Sequence, residues 1–336
     1  MGAGWSIERA RERSITDVGG VLVGQRTDLA RATGCTVVLC ERPMVGGVDV
    51  RGGGTATREI ELLRGGSLVE RVDAVVLSGG SAMGLGCAQG VVDSMREAGR
   101  GFPTAQGVVP IVPGAAIFDR SIGDPDAYPV AEDGRRACEG AGTRFERGCA
   151  GAGSGAMVGK FRGAAHATKG GIGSAGWSTA DGLRVGAIAC VNALGDVVDP
   201  ERGRIIAGAR DDDGGAWGSA ARMVEAPRDA LSFGTNTTLV VVATNARFDS
   251  ARACAVARMA SAGLARSVSP CYTQYDGDIC FALCGDEVEA DLNRVGVLAS
   301  LVAASAIVDA VLRADSWGGV PCARDLGWSG RAGAGS

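Results

Sequence analysis

The chain contains a single histidine, His166, and no C-x-x-C pair among its 11 cysteines. Any Ser-His or Cys-His mechanism would have to pass through that one residue. The cysteines are odd in number and scattered from Cys35 to Cys322, so reduced thiols are expected rather than a disulfide framework. Cys280 and Cys284, the closest pair, have no second pair or histidine nearby, and no zinc or other metal site is expected. No Lys/Arg-rich face stands out and the net charge is −4, which excludes the basic footprint of a nucleic-acid binder. Residues 1–20 lack the apolar core of about 7–15 residues that a secretory signal needs. The longest apolar stretch, residues 295–308, falls short of the ~18 residues required to span a bilayer. A soluble, cytoplasmic protein with neither a nucleic-acid nor a membrane partner is the expectation.

Glycine, by contrast, is abundant. Gly 55 and Pro 10 make 65 of 336 residues, about 19%, still below the roughly 25% that marks low complexity. A chain of this length can bury a sizeable core, so the glycines are expected to serve turns, tight layer packing or backbone-built sites.

Residues 21–23, 36–40 and 74–77 have strand length and β-branched content. The third run leads through Ser78-Gly-Gly-Ser81 into a segment reaching about Arg96, with Leu85, Ala88, Val92 and Met95 at helical spacing. Glycines at a helix entrance can hold an anion, but the Lys-Ser/Thr ending of a P-loop and the spacing of a dinucleotide fingerprint are missing, which favours packing. Residues 118–150 are polar and turn-rich, as in a surface excursion. Residues 185–191 and 196–198 suggest a pair of strands. Residues 201–233 look irregular, with Asp211, Asp212 and Asp213 forming a solvated acidic loop, since the spaced acceptors of a calcium loop are absent. Residues 239–243 are apolar enough for a strand buried on both faces, followed by a helix with Ser250 as its N-cap. Asp276-Gly-Asp278 enters another apolar strand at 279–283, and a long helix from about Glu289 to Arg313 closes the fold. Residues 327–336 are expected to form a flexible tail.

Chemistry concentrates at Gly234-Thr-Asn-Thr-Thr238, directly before the buried strand. A strand's beginning holds a hydroxyl rigidly, as a nucleophile requires. A threonine also needs a base, and the histidine lies 71 residues away in a polar segment. If the peptide bond before Thr237 breaks, its own α-amine can be that base, since such amines ordinarily titrate at about 7.7–8.0. An ordinary Asx/ST turn entering a strand fits the same spacing.

The sequence at this point resembles the P1 family of self-processing peptidases (peptidase family S58), which contains D-aminopeptidase-type enzymes, β-peptidyl aminopeptidases and nylon-oligomer hydrolases. Matching pieces follow in order along most of the chain: residues 15–24, 33–38, 48–53 with Thr57-Arg-Glu59, 77–85, Ile117-Phe-Asp119, 151–155 with Gly159-Lys160, 169–173, and Asn236-Thr-Thr238 with Ala243-Thr-Asn245.

The resemblance implies an α+β, four-layer αββα sandwich made as one precursor. Self-cleavage between Asn236 and Thr237 would give an α chain, 1–236, and a β chain, 237–336, together forming one catalytic domain. Thr237 then corresponds to the nucleophile, Lys160 to the family's lysine, Asn192 to its oxyanion-side asparagine, and Asp276 and Asp278 to the acidic pair of the nylon-oligomer branch. Each role also has a physical basis. Lysine and asparagine donors can stabilise an oxyanion, and two carboxylates at i, i+2 share a face if extended. A surface lysine, a turn asparagine and a solvated acidic turn fit the bare residues as well. Met83 stands where the family usually has a tyrosine, and a thioether cannot donate to an oxyanion. The expected activity is that of an aminopeptidase or amidase on short peptides or small amides and esters, without a cofactor, in a tetramer-like homo-oligomer. An ornithine-acetyltransferase-like acyl transferase and a catalytically weak binding protein are the alternatives.

Overall fold

The computed structural model describes residues 5–225 and 236–328. Residues 226–235, from the segment expected to be irregular, and residues 329–336, from the expected tail, lie outside them.

Strands β1 (Val21–Asp28), β2 (Thr33–Val50), β3 (Arg71–Ser78) and β4 (Gly114–Ala116) form one half of a continuous hydrogen-bonded sheet. Strands β5 (Gly171–Ser178), β6 (Arg184–Asn192), β7 (Thr237–Ala246) and β8 (Ile279–Val288) form the other. The order is β5-β6-β7-β8-β2-β3-β4, with Ala56–Arg58 beyond β4 and β1 paired to β2. The long strand β2 joins the halves. Its first part pairs with β3, residues 45–50 pair with β8, and the register shifts between Leu39 and Met44, where Glu41, Arg42 and Pro43 are exposed. An irregularity of this kind bends a strand, and here the two halves stack face to face.

Period-2 alternation then sorts side chains between layers. On β7, Leu239, Val241 and Ala243 join Val38, Val75 and Leu77 in the core between the half-sheets, while Val240 and Val242 face helices α3 (Ser250–Ser267) and α4 (Leu292–Leu312). Helices α1 (Cys87–Glu97) and α2 (Ala131–Glu139) cover the opposite outer face through Cys35, Val37, Ala74 and Val76. The layers therefore run helix, sheet, sheet, helix, the αββα sandwich expected. Much of the glycine serves layer packing: a Cβ on Gly90 would lie 1.7 Å from the Ala131 carbonyl oxygen, and one on Gly134 would lie 1.9 Å from that of Cys87. Only glycine lets α1 and α2 approach this closely.

Several local expectations shift. The α3 N-cap is Asp249, whose carboxylate accepts the Arg252 N–H at 2.8 Å, while the Ser250 hydroxyl donates to Glu70. An acidic cap one residue earlier was equally available in the sequence. Asp291 likewise caps α4, which begins three residues later than expected. That helix spans 21 residues and holds an 18-residue window of mean hydropathy 2.2, long and apolar enough to cross a membrane, and the window is largely buried in the fold. Residues 185–191 do not pair with 196–198. Strand β6 lies between β5 and β7, whereas Asp196–Asp199 joins Arg204–Ala207 and Val268–Ser269 in a separate three-stranded sheet. The 118–150 excursion contains α2, whose buried face is built from the small residues Gly134, Ala137 and Cys138 and so gives a weak apolar signal. Residues 201–225 likewise include a strand, Arg204–Ala207, and a helix, Ser219–Glu225.

Candidate active site

Thr237 opens β7 and is buried, directly opposite Asn192 at the end of β6 in the antiparallel ladder. Its hydroxyl donates to the carbonyl oxygen of Asn236 at 2.5 Å, and the same oxygen accepts the Gly277 N–H at 2.8 Å. Asn236 itself bridges to Asp276, and its side-chain amide donates to the Tyr275 carbonyl at 3.2 Å. The residues entering β8 thus carry the parallel β7–β8 register three residues upstream of its first ladder pair, Leu239 and Ile279, and grip the bond before Thr237.

The two aspartates are buried on either side of Gly277. Asp278 Oδ1 accepts the Thr238 N–H at 2.6 Å and Oδ2 that of Tyr272 at 3.0 Å. Asp276 Oδ2 accepts the Thr273 hydroxyl at 2.5 Å, and Oδ1 accepts the Leu194 N–H at 3.3 Å. Burial raises both carboxyls above the usual range, and the neighbouring Asp276 pushes Asp278 further. Backbone and hydroxyl donors oppose this without cancelling it.

Lys160, just after the positive-φ Gly159, is buried. Burial lowers its pKa from 10.5 to about 7, against the pull of Asp276, Asp119 and Asp278. Asn192 accepts the Met157 N–H through Oδ1 at 3.1 Å and donates through Nδ2 to the Phe118 carbonyl at 2.9 Å. Thr237, Asn192, Asp276, Asp278 and Lys160 are therefore gathered from separate stretches of chain. Met83 sits in the short helix Ser81–Gly84, 42% exposed, with its sulfur 3.9 Å from Arg120 Nη1. His166 faces Asp212, its Nδ1 4.0 Å from Oδ1. The acidic loop folds on itself, with Asp211 Oδ1 accepting the N–H groups of Asp213 and Gly215.

Two contributors had no assigned role in the sequence. Asp119 fills the glycine-rich turn after β3, accepting the Gly80 N–H at 2.7 Å and the Thr33 hydroxyl at 2.8 Å. The anion-binding potential of that helix entrance is thus met by an internal carboxylate. Asp119 also faces both Lys160 and Lys169, the chain's only lysines, and Lys169 Nζ donates to the Ser154 carbonyl at 2.8 Å. The second contributor is Gly277, where a Cβ would stand 2.6 Å from Thr237 Oγ1. A glycine between two acidic residues at a strand entrance was the signal available for it.

Residues 13–322 match peptidase family S58. The chain belongs to this family. An uncharacterized aminopeptidase of Mycobacterium tuberculosis is 38% identical over 342 residues, covering 93% of this chain and 97% of that protein. The 6-aminohexanoate-oligomer endohydrolase of Paenarthrobacter ureafaciens is 29% identical over 331 residues, covering 90% and 86%. Among solved structures, the L-aminopeptidase D-Ala-esterase/amidase of Ochrobactrum anthropi, described as a variant of the Ntn hydrolase fold, superposes with a TM-score of 0.70 at 20% identity, covering 95% of this chain and 91% of that one. A Burkholderia sp. β-aminopeptidase gives 0.67 at 21%, covering 94% and 89%. This S58 member has the Ntn-hydrolase type of fold, and its family makes it a hydrolase of the aminopeptidase/amidase kind.

Proposed function

We propose that the chain is a self-processing amidohydrolase whose nucleophile is the N-terminal Thr237 created by its own cleavage. The observation that carries this reading is the Thr237 hydroxyl seated on the carbonyl of the bond that would break, with the Gly277 N–H on the same oxygen.

Thr237 Oγ adds to the Asn236 carbonyl carbon, and its proton passes through the buried Lys160 and Asp278 groups to the departing nitrogen. The 236–237 C–N bond breaks, leaving Asn236 esterified to Oγ and a free α-amine on Thr237. Water hydrolyses the ester to an Asn236 carboxylate and restores the hydroxyl. Chains of 236 and 100 residues result. The amine, of a kind that titrates at about 7.7–8.0, is then the base for substrate attack. Asp276 and Asp278 hold that amine or a substrate's ammonium group, and Asn192 and Lys160 are assigned as further donors to the oxyanion. The substrates are short peptides or small aminoacyl amides and esters, consumed through an acyl-enzyme.

Intact-mass measurement on fresh and aged protein tests the reading. Wild type is expected as two chains and Thr237→Ala as one, with loss of hydrolysis of alanine p-nitroanilide. An intact wild-type chain that hydrolyses the substrate overturns it.

A further inference from the structure

We propose that the backbone N–H of Gly277 is an oxyanion donor used twice, first in self-cleavage and then in every turnover. This rests on the reading of Thr237 as the nucleophile.

In the intact chain the Asn236 carbonyl oxygen accepts two donors, the Gly277 N–H at 2.8 Å and the Thr237 hydroxyl at 2.5 Å. When Thr237 Oγ becomes the attacking atom, its own hydrogen bond to that oxygen is lost. The Gly277 N–H remains, already within hydrogen-bond distance of the oxygen that takes up the negative charge as the carbonyl carbon becomes tetrahedral. It is held by the ladder rather than by a mobile side chain: Asn236 bridges to Asp276 on one side of the contact, and on the other Asp278 Oδ1 accepts the Thr238 N–H at 2.6 Å. A donor fixed in this way needs no reorganisation at the moment of reaction.

Cleavage releases this N–H. The Asn236 carbonyl that occupied it becomes a carboxylate and departs, while Thr237 stays at the start of β7 and residues 276–278 stay at the entrance to β8, its neighbour in the middle of the sheet. A substrate acyl group attacked by the same Oγ places its carbonyl carbon one bond from that atom, as Asn236 did. Its oxygen is therefore brought to the vacated donor. The donor alone would suit any residue but proline, whereas a Cβ here would stand 2.6 Å from Thr237 Oγ1 and 2.9 Å from the Gly54 carbonyl oxygen. Residue 277 thus supplies a donor and at the same time leaves room for the nucleophile. A backbone donor at this point also provides oxyanion stabilisation that Met83 cannot offer.

The test replaces Gly277 with glycolic acid by hydroxy-acid incorporation, converting the N–H to an ester oxygen without adding an atom at Cα. Self-cleavage followed by mass, and kcat on alanine p-nitroanilide, should each fall by about 10²-fold or more, the usual loss for one oxyanion donor, with KM little changed. Lactic acid at Ala282, inside β8 and away from the site, controls for the loss of a ladder bond and should leave both rates near wild type. Wild-type rates with the ester at 277 overturn the proposal while leaving Thr237 as nucleophile. A wild-type chain that neither cleaves nor depends on Thr237 overturns both.

A second measurement needs no substitution. Labelling with [1-13C]Asp and [15N]Gly selects the four Asp-Gly pairs of the chain, at 133–134, 181–182, 213–214 and 276–277. Alanine boronic acid bound to the cleaved enzyme should move the Gly277 amide proton downfield and leave the other three in place. An unmoved Gly277 signal in a boronate-inhibited enzyme overturns the proposal.

Discussion

Asn192 stands directly across the β6–β7 ladder from Thr237, and its side-chain amide is held at both ends, by the Met157 N–H and the Phe118 carbonyl. The residue before Phe118, Ile117, accepts the Ser81 N–H through its carbonyl. Segment 117–119 therefore supports Asn192, the turn that carries Met83, and, through Asp119, the electrostatic surroundings of Lys160.

Asn192→Leu removes both bonds and leaves the buried Met157 N–H and the half-buried Phe118 carbonyl without this partner. The expected loss of stability is about 1–3 kcal/mol, measured by urea unfolding in a Thr237→Ala background so that chain cleavage does not enter. Self-cleavage in the otherwise wild-type chain should slow as well, read by intact mass.

Burial lowers the Lys160 pKa from 10.5 to about 7. Between those values the unfolded chain binds a proton that the folded chain does not, so this group's contribution makes stability rise with pH. Lys160→Met should accordingly be most stabilised over wild type near pH 7 and progressively less so toward pH 10, in paired denaturation curves. A pH-independent difference contradicts a neutral buried amine. Self-cleavage of wild type should slow below about pH 7 as the amine protonates.

Gly277→Ala places a methyl group 2.6 Å from Thr237 Oγ1. The hydroxyl must move, and a displacement of about 1 Å can cost ~10²-fold in rate. The expected product is a folded protein that persists as a single 336-residue chain, seen by mass spectrometry and circular dichroism.

Met83→Tyr should raise kcat on small aminoacyl amides by about 10-fold or more, toward the ~10²–10³ that one oxyanion donor is worth. Self-cleavage should be unaffected, because that step uses the chain's own carbonyl. Unchanged kcat and KM would put Met83 outside the site.

The buried strands and long helices were legible because their apolar runs are continuous, as at Leu239 to Ala243 and along α4. Helix α2 was not, since Gly134 and Ala137 bury almost no side chain yet settle its contact with α1. Strand partners were equally hidden. Nothing local says that Val185 pairs with Thr244 rather than with the Asp196 strand, because pairing is decided by how the layers stack. Within the site, Thr237, Asn236 and the two aspartates could be named from family-like motifs. Asp119 and the Gly277 N–H act through backbone geometry and burial, which residue identity alone does not express.

The sheet order has a consequence for the chain once it is cut. Strands β7 and β8 lie inside the sheet, flanked by β6 and β2, and the same 100-residue piece carries α3 and α4. Breaking the 236–237 bond removes no packing contact, but it unties the denatured state, in which the two pieces can diffuse apart. Refolding then becomes a bimolecular encounter, and apparent stability depends on protein concentration. For the self-cleaved form proposed above, the working lifetime would then be governed by the rate of opening this interior.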